Sequence, residues 1–248
     1  MRVVPVPCLK DNFAYLVIDS DGQCAVVDPG EAGPVEAALA REHAQLAAIW
    51  ATHHHADHVG GVAELVARHP GIEVVIGAKD APRTSHVTRA LDDGDTVTLG
   101  ALRAGCIHNP GHTLGAISFV VEDCVFTGDT LFGGGCGRVF EGDAAMMHAS
   151  LMRLAALPPT TKVYFGHEYT ASNLRFAAAV EPDNAQLAAR ARSIASPSTP
   201  STIADERATN PFLRSAEPGV VAAAGGRGAA DDPVSVFAAV RAWKDNFK

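Results

Sequence analysis

Apolar and polar positions change their rhythm once along this chain. Through the first 170 residues, short apolar runs bounded by turn residues recur at 3–6, 13–18, 24–27, 46–51, 73–76, 102–107, 116–121, 124–126 and 163–165. Runs of that length read as buried or half-buried strands. Stretches with helical spacing lie between some of them, at 35–41, 59–68 and 144–156. From about residue 169 the pattern becomes helical and alanine-rich, with helices expected at 169–180, 184–194 and 233–247; the last carries Val236, Val240, Trp243 and Phe247 on one stripe. Between them, Ser196-Pro197-Ser198-Thr199-Pro200-Ser201 reads as an irregular connector. Mixed strands and helices followed by helices alone predict an α/β protein of layered sheets with a helical extension. Periodicity does not say whether the strands form one sheet or two.

The ends of the strands carry the chemistry. Directly after the run 46–51 comes Thr52-His53-His54-His55-Ala56-Asp57-His58, five potential metal ligands in six consecutive positions. His53 and His55, two apart on an extended loop, face the same side and suit one ion, whereas Asp57 and His58 point elsewhere and suit a second. His54, facing away between ligands, is expected to support the site without binding metal. Unprotonated imidazoles clustered beside a carboxylate are costly to bury unless a cation holds them. Three more strand ends deliver ligand-type residues: His112 in Asn109-Pro110-Gly111-His112-Thr113, Asp129 in Thr127-Gly128-Asp129-Thr130, and His167 in Phe165-Gly166-His167. His53, His55 and His112 are assigned to one ion, Asp57, His58 and His167 to the other. Asp129 bridges them, because a carboxylate has two oxygens to share between cations.

Composition narrows the partners. Residues 1–170 hold 11 Lys and Arg against 20 Asp and Glu, net −9, while residues 171–248 are net +1. An acidic catalytic part argues against nucleic acid, whose binding needs a basic footprint; an anionic small ligand would be met by the tail. Arg241 and Lys244, three apart on the last helix, could grip one anionic group or could be two solvated charges. The five cysteines, Cys8, Cys24, Cys106, Cys124 and Cys136, show no paired spacing. Cys24, Cys106 and Cys124 lie in strand-like runs and are expected in the core, whereas the exposure of Cys136 is open. No run reaches membrane-spanning length and the N-terminus lacks a signal-type apolar core, so a soluble, cytoplasmic, reduced protein is expected, with no membrane partner.

The His-x-His-x-Asp-His motif with later His, Asp and His at strand ends resembles the metallo-β-lactamase fold superfamily. Further matches narrow the resemblance to the hydroxyacylglutathione hydrolase (glyoxalase II) family: Gly135-Cys136-Gly137-Arg138, Gly166-His167-Glu168-Tyr169-Thr170, Asn210-Pro211-Phe212-Leu213-Arg214 and Arg241-Ala242-Trp243-Lys244-Asp245. That resemblance implies an αββα sandwich with a C-terminal helical extension, divided as a metal-binding catalytic domain over 1–168 and a helical glutathione-binding domain over 169–248. It implies that Arg241 and Lys244 bind glutathione, with Arg138, Tyr169 and the position of Phe140 completing the contact. Phe140 departs from the tyrosine of some members, so only a main-chain contact is expected there. The implied cofactors are two divalent ions, zinc first, with iron and manganese equally suited to His and Asp ligands. The implied reaction is hydrolysis of S-(2-hydroxyacyl)glutathione, chiefly S-D-lactoylglutathione, to D-lactate and glutathione by a hydroxide held between the metals. Asp57 and Asp129 are its catalytic carboxylates, Asp57 also orienting the hydroxide. A monomer is expected. A mononuclear iron persulfide dioxygenase, a lactonase and a non-catalytic glutathione or metal binder are the competing readings.

Overall fold

The computed structural model describes residues 1–247. β1 (Arg2–Cys8), β2 (Asn12–Ile18), β3 (Gln23–Val27), β4 (Gln45–Trp50), β5 (Glu73–Gly77) and β6 (Arg89–Leu91) form one sheet in that order. Its first three strands pair antiparallel and its last four parallel. The parallel pairs need crossovers: α1 (Ala32–Glu42) joins β3 to β4, α2 (Ala56–Val59) and α3 (Val62–Arg68) join β4 to β5, and a segment with one 3-10 turn at Ala81–Arg83 joins β5 to β6. The second sheet contains β7 (Thr96–Leu99), β8 (Leu102–His108), β9 (Ile117–Val121) and β10 (Cys124–Gly128). A small hairpin, β11 (Leu131–Phe132) with β12 (Gly135–Cys136), follows, then α4 (Ala144–Ala155) and β13 (Lys162–Phe165). The chain finishes as α5 (Thr170–Val180), α6 (Ala185–Arg192), β14 (Ser201–Thr202), α7 (Ile203–Thr209), α8 (Pro218–Gly225) and α9 (Pro233–Asp245). The order across the second sheet is β14-β13-β10-β9-β8-β7.

Alternation along β2 shows why two sheets pack face to face. Phe13, Tyr15 and Val17 join Trp50, Phe119 and Phe126 in one core, while Ala14, Leu16 and Ile18 join Val35, Leu39, Val62 and Leu65 of α1 and α3 in another. A strand buried on both faces separates an inner core from a helix-covered outer one, which is the αββα arrangement. Trp50 of the first sheet stacks on Phe119 of the second with centroids 5.4 Å apart, and both are fully buried. Truncating either to alanine should cost about 3–5 kcal/mol. No helix is long and apolar enough to cross a membrane among the described residues.

Most elements lie where the apolar pattern puts them, and the differences have local causes. The helix expected over 59–68 is broken at Gly60-Gly61, where the Gly61 amide donates to the Pro29 carbonyl instead of continuing a helix. β6 and β7 were not expected; they are short and carry polar, exposed positions. Nor were α7 and α8, although Thr202 caps α7 by accepting the Asp205 amide at 3.1 Å, a start that Thr202 three residues before Asp205 spells in the sequence. All five cysteines are free and buried, Cys136 included.

Candidate metal centre

Every ligand-type strand end comes to one edge of the sandwich. β4 runs into the loop and short helix that carry His53, His55, Asp57 and His58, the loop after β8 carries His112, β10 ends at Asp129, and β13 ends at His167. His55 Nδ1 lies 3.1 Å from His53 Nε2 and 2.9 Å from His112 Nε2. His167 Nε2 lies 3.4 Å from both His58 Nε2 and Asp57 Oδ2. Asp129 reaches both groups, with Oδ1 3.3 Å from His58 Nε2 and Oδ2 3.5 Å from His112 Nε2 and 3.3 Å from His167 Nε2. Donor atoms bonded at about 2.1 Å to a tetrahedral ion stand roughly 3.4 Å apart, so these separations match two adjoining coordination shells. Gly166 leaves room for them: a Cβ there would come within 2.4 Å of Asp129 Oδ1.

The outward ring nitrogens decide which atom faces inward. Donated hydrogen bonds run from His53 Nδ1 to Thr52 Oγ1 (3.1 Å), His58 Nδ1 to Asp28 Oδ2 (2.9 Å), His112 Nδ1 to the Arg138 carbonyl (2.8 Å) and His167 Nδ1 to Asp11 Oδ1 (3.0 Å). With Nδ1 holding the proton, each Nε2 lone pair points into the site, which is the tautomer a metal needs. Four lone pairs and a carboxylate converging in a buried space, with Asp129 Oδ1 left without a hydrogen-bond partner, fit a pair of divalent cations.

The two halves differ electrostatically. Burial holds His53, His55 and His112 below the usual imidazole range, helped in each case by neighbouring imidazoles, so they are neutral and ready to coordinate near pH 7. In His58 and His167 burial acts the same way but the surrounding carboxylates outweigh it: Asp129 and Asp28 raise His58 well above its ordinary value, and Asp129 and Asp57 raise His167 to about 10. The hydrogen bond with His167 in turn keeps Asp57 well below the carboxylate range, and the charges of His58 and His167 overcome burial to do the same for Asp129. Without metal, protons therefore occupy the Asp57, His58 and His167 half.

Several supporting residues had no role assigned to them from the sequence. Asp28 accepts from the Thr52 amide (2.7 Å) and hydroxyl (2.6 Å) as well as from His58, and sits at φ 49, a conformation non-glycine residues rarely adopt. Asn12 donates to Asp57 Oδ2 at 3.0 Å. Their only sequence trace is the motif Asp28-Pro29-Gly30 and the polar turn before β2. Asp80 accepts from the His54 amide (3.2 Å) and the Thr113 hydroxyl (2.8 Å), fastening the loops that carry two ligand groups. His54 faces Asp80 and Glu141, and both Glu141 oxygens are already engaged by Arg83 and the Leu114 amide.

A cavity of about 650 Å³ is lined by Asp57, His112, Asp129 and His167 of the ligand cluster and by Arg138, Phe140, Tyr169, Arg241 and Lys244. The Phe140 ring, 60% exposed, lies 5.2 Å from that of His112 and 5.8 Å from that of His55. Tyr169 stacks flat on His167 with centroids 4.7 Å apart. Arg241 is buried and its guanidinium donates to the Cys136 carbonyl (3.0 Å) and Asp245 (2.8 Å). The half-buried Lys244 ammonium makes one long hydrogen bond, to the Ser172 carbonyl at 3.4 Å, lies 5.2 Å from the Phe176 ring and 6.0 Å from that of Phe247, and is lowered to about 8 by burial beside Arg241 and Arg175. An unneutralised cation at that position attracts an anionic group.

Residues 10–167 match the metallo-β-lactamase superfamily model, and residues 168–247 match that for the hydroxyacylglutathione hydrolase C-terminus. The chain is 49% identical to a hydroxyacylglutathione hydrolase from Cupriavidus taiwanensis over the full length of both. Among solved structures it is similar to ETHE1 from Myxococcus xanthus (27% identity, all of both chains, TM-score 0.67). It is also similar to TTHA1623 in a di-iron-bound form (28% identity, 86% of this chain and all of that one, TM-score 0.65). Ligand-bearing strand ends, helical extension and full-length likeness agree, and the chain belongs to the hydroxyacylglutathione hydrolase family within the metallo-β-lactamase superfamily.

Proposed function

We propose that this protein hydrolyses S-(2-hydroxyacyl)glutathione thioesters, S-D-lactoylglutathione first, releasing D-lactate and glutathione. The observation that carries the reading is the continuity of the cavity, which joins the metal-ligand cluster to a cationic end built by the C-terminal helices. His53, His55, His112 and Asp129 would hold one divalent ion, and Asp57, His58, His167 and Asp129 the other. Such ions make a water acidic enough to yield hydroxide near neutral pH and polarise an acyl carbonyl. Asp57, kept ionised by His167 and steadied by Asn12, is half-exposed and accepts a hydrogen from the attacking water, fixing its direction of approach. His53, His58, His112 and His167 are buried, and the Phe140 ring lies beside those of His55 and His112. The leaving thiol has a pKa near 8.5 and departs as thiolate without a dedicated acid.

Lys244 takes the carboxylate end of glutathione, with Arg138 and Tyr169 along the tripeptide, Tyr169 lying next to the ligand cluster through its stack on His167. The ions are zinc first, with iron or manganese also compatible with nitrogen and carboxylate donors. A cytoplasmic location, where glutathione is plentiful and five buried free thiols persist, suits this reading. The test is turnover: purified protein given S-D-lactoylglutathione should release stoichiometric D-lactate and free thiol. Oxygen consumption with glutathione persulfide and no thioester cleavage would favour the dioxygenase reading instead.

A further inference from the structure

The motif Asn210-Pro211-Phe212-Leu213-Arg214 has no place in that chemistry, and its first residue leads back to the metal centre. Asn210 and Glu206 are fully buried between α7 and the β11–β12 hairpin. Glu206 Oε2 accepts the Gly134 amide at 2.7 Å and Asn210 Nδ2 at 3.0 Å, while Oε1 accepts Arg190 Nη2 at 2.5 Å. Asn210 Nδ2 also donates to the Gly135 carbonyl at 2.9 Å, and Asn173 Nδ2 to the Gly133 carbonyl at 3.1 Å. A buried carboxylate is tolerated only when its charge is paired and its oxygens are satisfied, and Glu206 meets both conditions against the backbone of a glycine turn.

That turn cannot hold its own shape. Its ladder has two residue pairs, Leu131 with Cys136 and Phe132 with Gly135. Such a hairpin is marginal alone, so its geometry is set by what grips it. Immediately beyond it the chain touches the metal ligands: a Cβ on Gly137 would lie 1.9 Å from the Asp129 carbonyl and 3.1 Å from His112 Nδ1, and the Arg138 carbonyl accepts the His112 Nδ1 hydrogen. On the other side the Cys136 carbonyl accepts Arg241 Nη1.

We infer that Asn210 and Glu206 are positioning residues, which clamp the tip of the glycine hairpin so that its far end holds His112 in its metal-binding tautomer and Arg138 at the cavity wall. The C-terminal helices thereby act on the metal centre as well as on the substrate. The substrate half of this inference rests on the proposed glutathione site; the His112 half does not.

The test compares Asn210→Ala, and the milder Asn210→Ser, with Arg214→Gln in the same motif. Arg214 binds Glu181 through Nε and Nη2 at 2.7 and 3.0 Å and donates through Nη1 to the Arg207 carbonyl of α7 at 3.1 Å, with no hydrogen bond to the hairpin, and its loss should lower stability without freeing the hairpin. Steady-state kinetics with S-D-lactoylglutathione, the rate of metal loss to a chelator and thermal midpoints are measured on each metal-loaded variant. The Asn210 variants should lose one of two ions about ten-fold faster and show KM raised by a similar factor, whereas Arg214→Gln changes neither. In the wild-type protein the Gly134 amide should exchange as slowly as the core. Unchanged metal loss in the Asn210 variants, equal changes in Arg214→Gln, or fast exchange at Gly134 would overturn the inference. Faster metal loss with unchanged KM, together with wild-type KM in Lys244→Ala, would leave the clamp standing and remove the glutathione site.

Discussion

Arg241 and Lys244 look equivalent in the sequence, two cations three apart on one helix, yet replacing them should have different consequences. Lys244 has no carboxylate partner among its hydrogen bonds, and its ammonium lies in the cavity with one long hydrogen bond to a carbonyl and the rings of Phe176 and Phe247 nearby. Removing it leaves little in the protein unsatisfied. What is lost is a charge-assisted bond to substrate, worth about 1.5–3 kcal/mol when made and less at a half-exposed group, so about 1–2 kcal/mol. KM for S-D-lactoylglutathione should therefore rise roughly five- to thirty-fold in Lys244→Ala with kcat and the thermal midpoint nearly unchanged. Arg241 is different, because its guanidinium holds the Cys136 carbonyl and Asp245 and lies over Phe212. Arg241→Ala should lower folding stability by about 1–3 kcal/mol through the carbonyl left unpaired, and should disturb KM and kcat together because the hairpin moves. The assays are steady-state kinetics and denaturant unfolding on both variants. Equal stability loss in the two, or a kcat defect in Lys244→Ala matching that of Arg241→Ala, would refute this division.

Lys244 loses its charge above about pH 8, so kcat/KM for the anionic thioester should fall above that pH, and the fall should be absent from Lys244→Ala; identical alkaline limbs would exclude Lys244. Asp129→Ala removes a carboxylate whose two oxygens reach both histidine groups and should bring bound metal to one equivalent or less and abolish turnover, as elemental analysis and kinetics would show; two retained ions would defeat the bridging assignment. In metal-free protein the raised pKa values of His58 and His167 mean that protonation favours the folded state: this stabilisation is complete below about pH 6.5, the ordinary histidine value, and is lost as pH rises toward about 10. Chelated protein should thus melt progressively lower over that window, and metal binding in the Asp57, His58 and His167 half should tighten with it as the competing protons leave; a flat melting profile would contradict the electrostatic account.

The candidate metal ligands were legible because chemistry concentrates them: imidazoles and carboxylates at four strand ends have few other uses. The residues that aim those ligands were not. Asp11, Asn12, Asp28 and Asp80 are common turn residues in the sequence and acquire their roles only when turns from distant strands meet. β2 read as a strand because Phe13 to Ile18 are all apolar, but only the structure shows its two faces entering different cores. β6 and β7, with exposed polar positions, carried too little apolar pattern to register. Arg241 was legible as a basic residue on a helix and illegible as a structural one, since its partner carbonyl at Cys136 lies on a hairpin more than a hundred residues away.

The central claim is that a pair of divalent ions held by these strand ends cleaves a glutathione thioester. It is tested most directly by titrating metal into chelator-treated protein while following hydrolysis of S-D-lactoylglutathione. The account predicts no turnover without metal, recovery with zinc, iron or manganese, and full activity only as binding approaches two equivalents per chain. Undiminished hydrolysis by protein shown to be metal-free would contradict it.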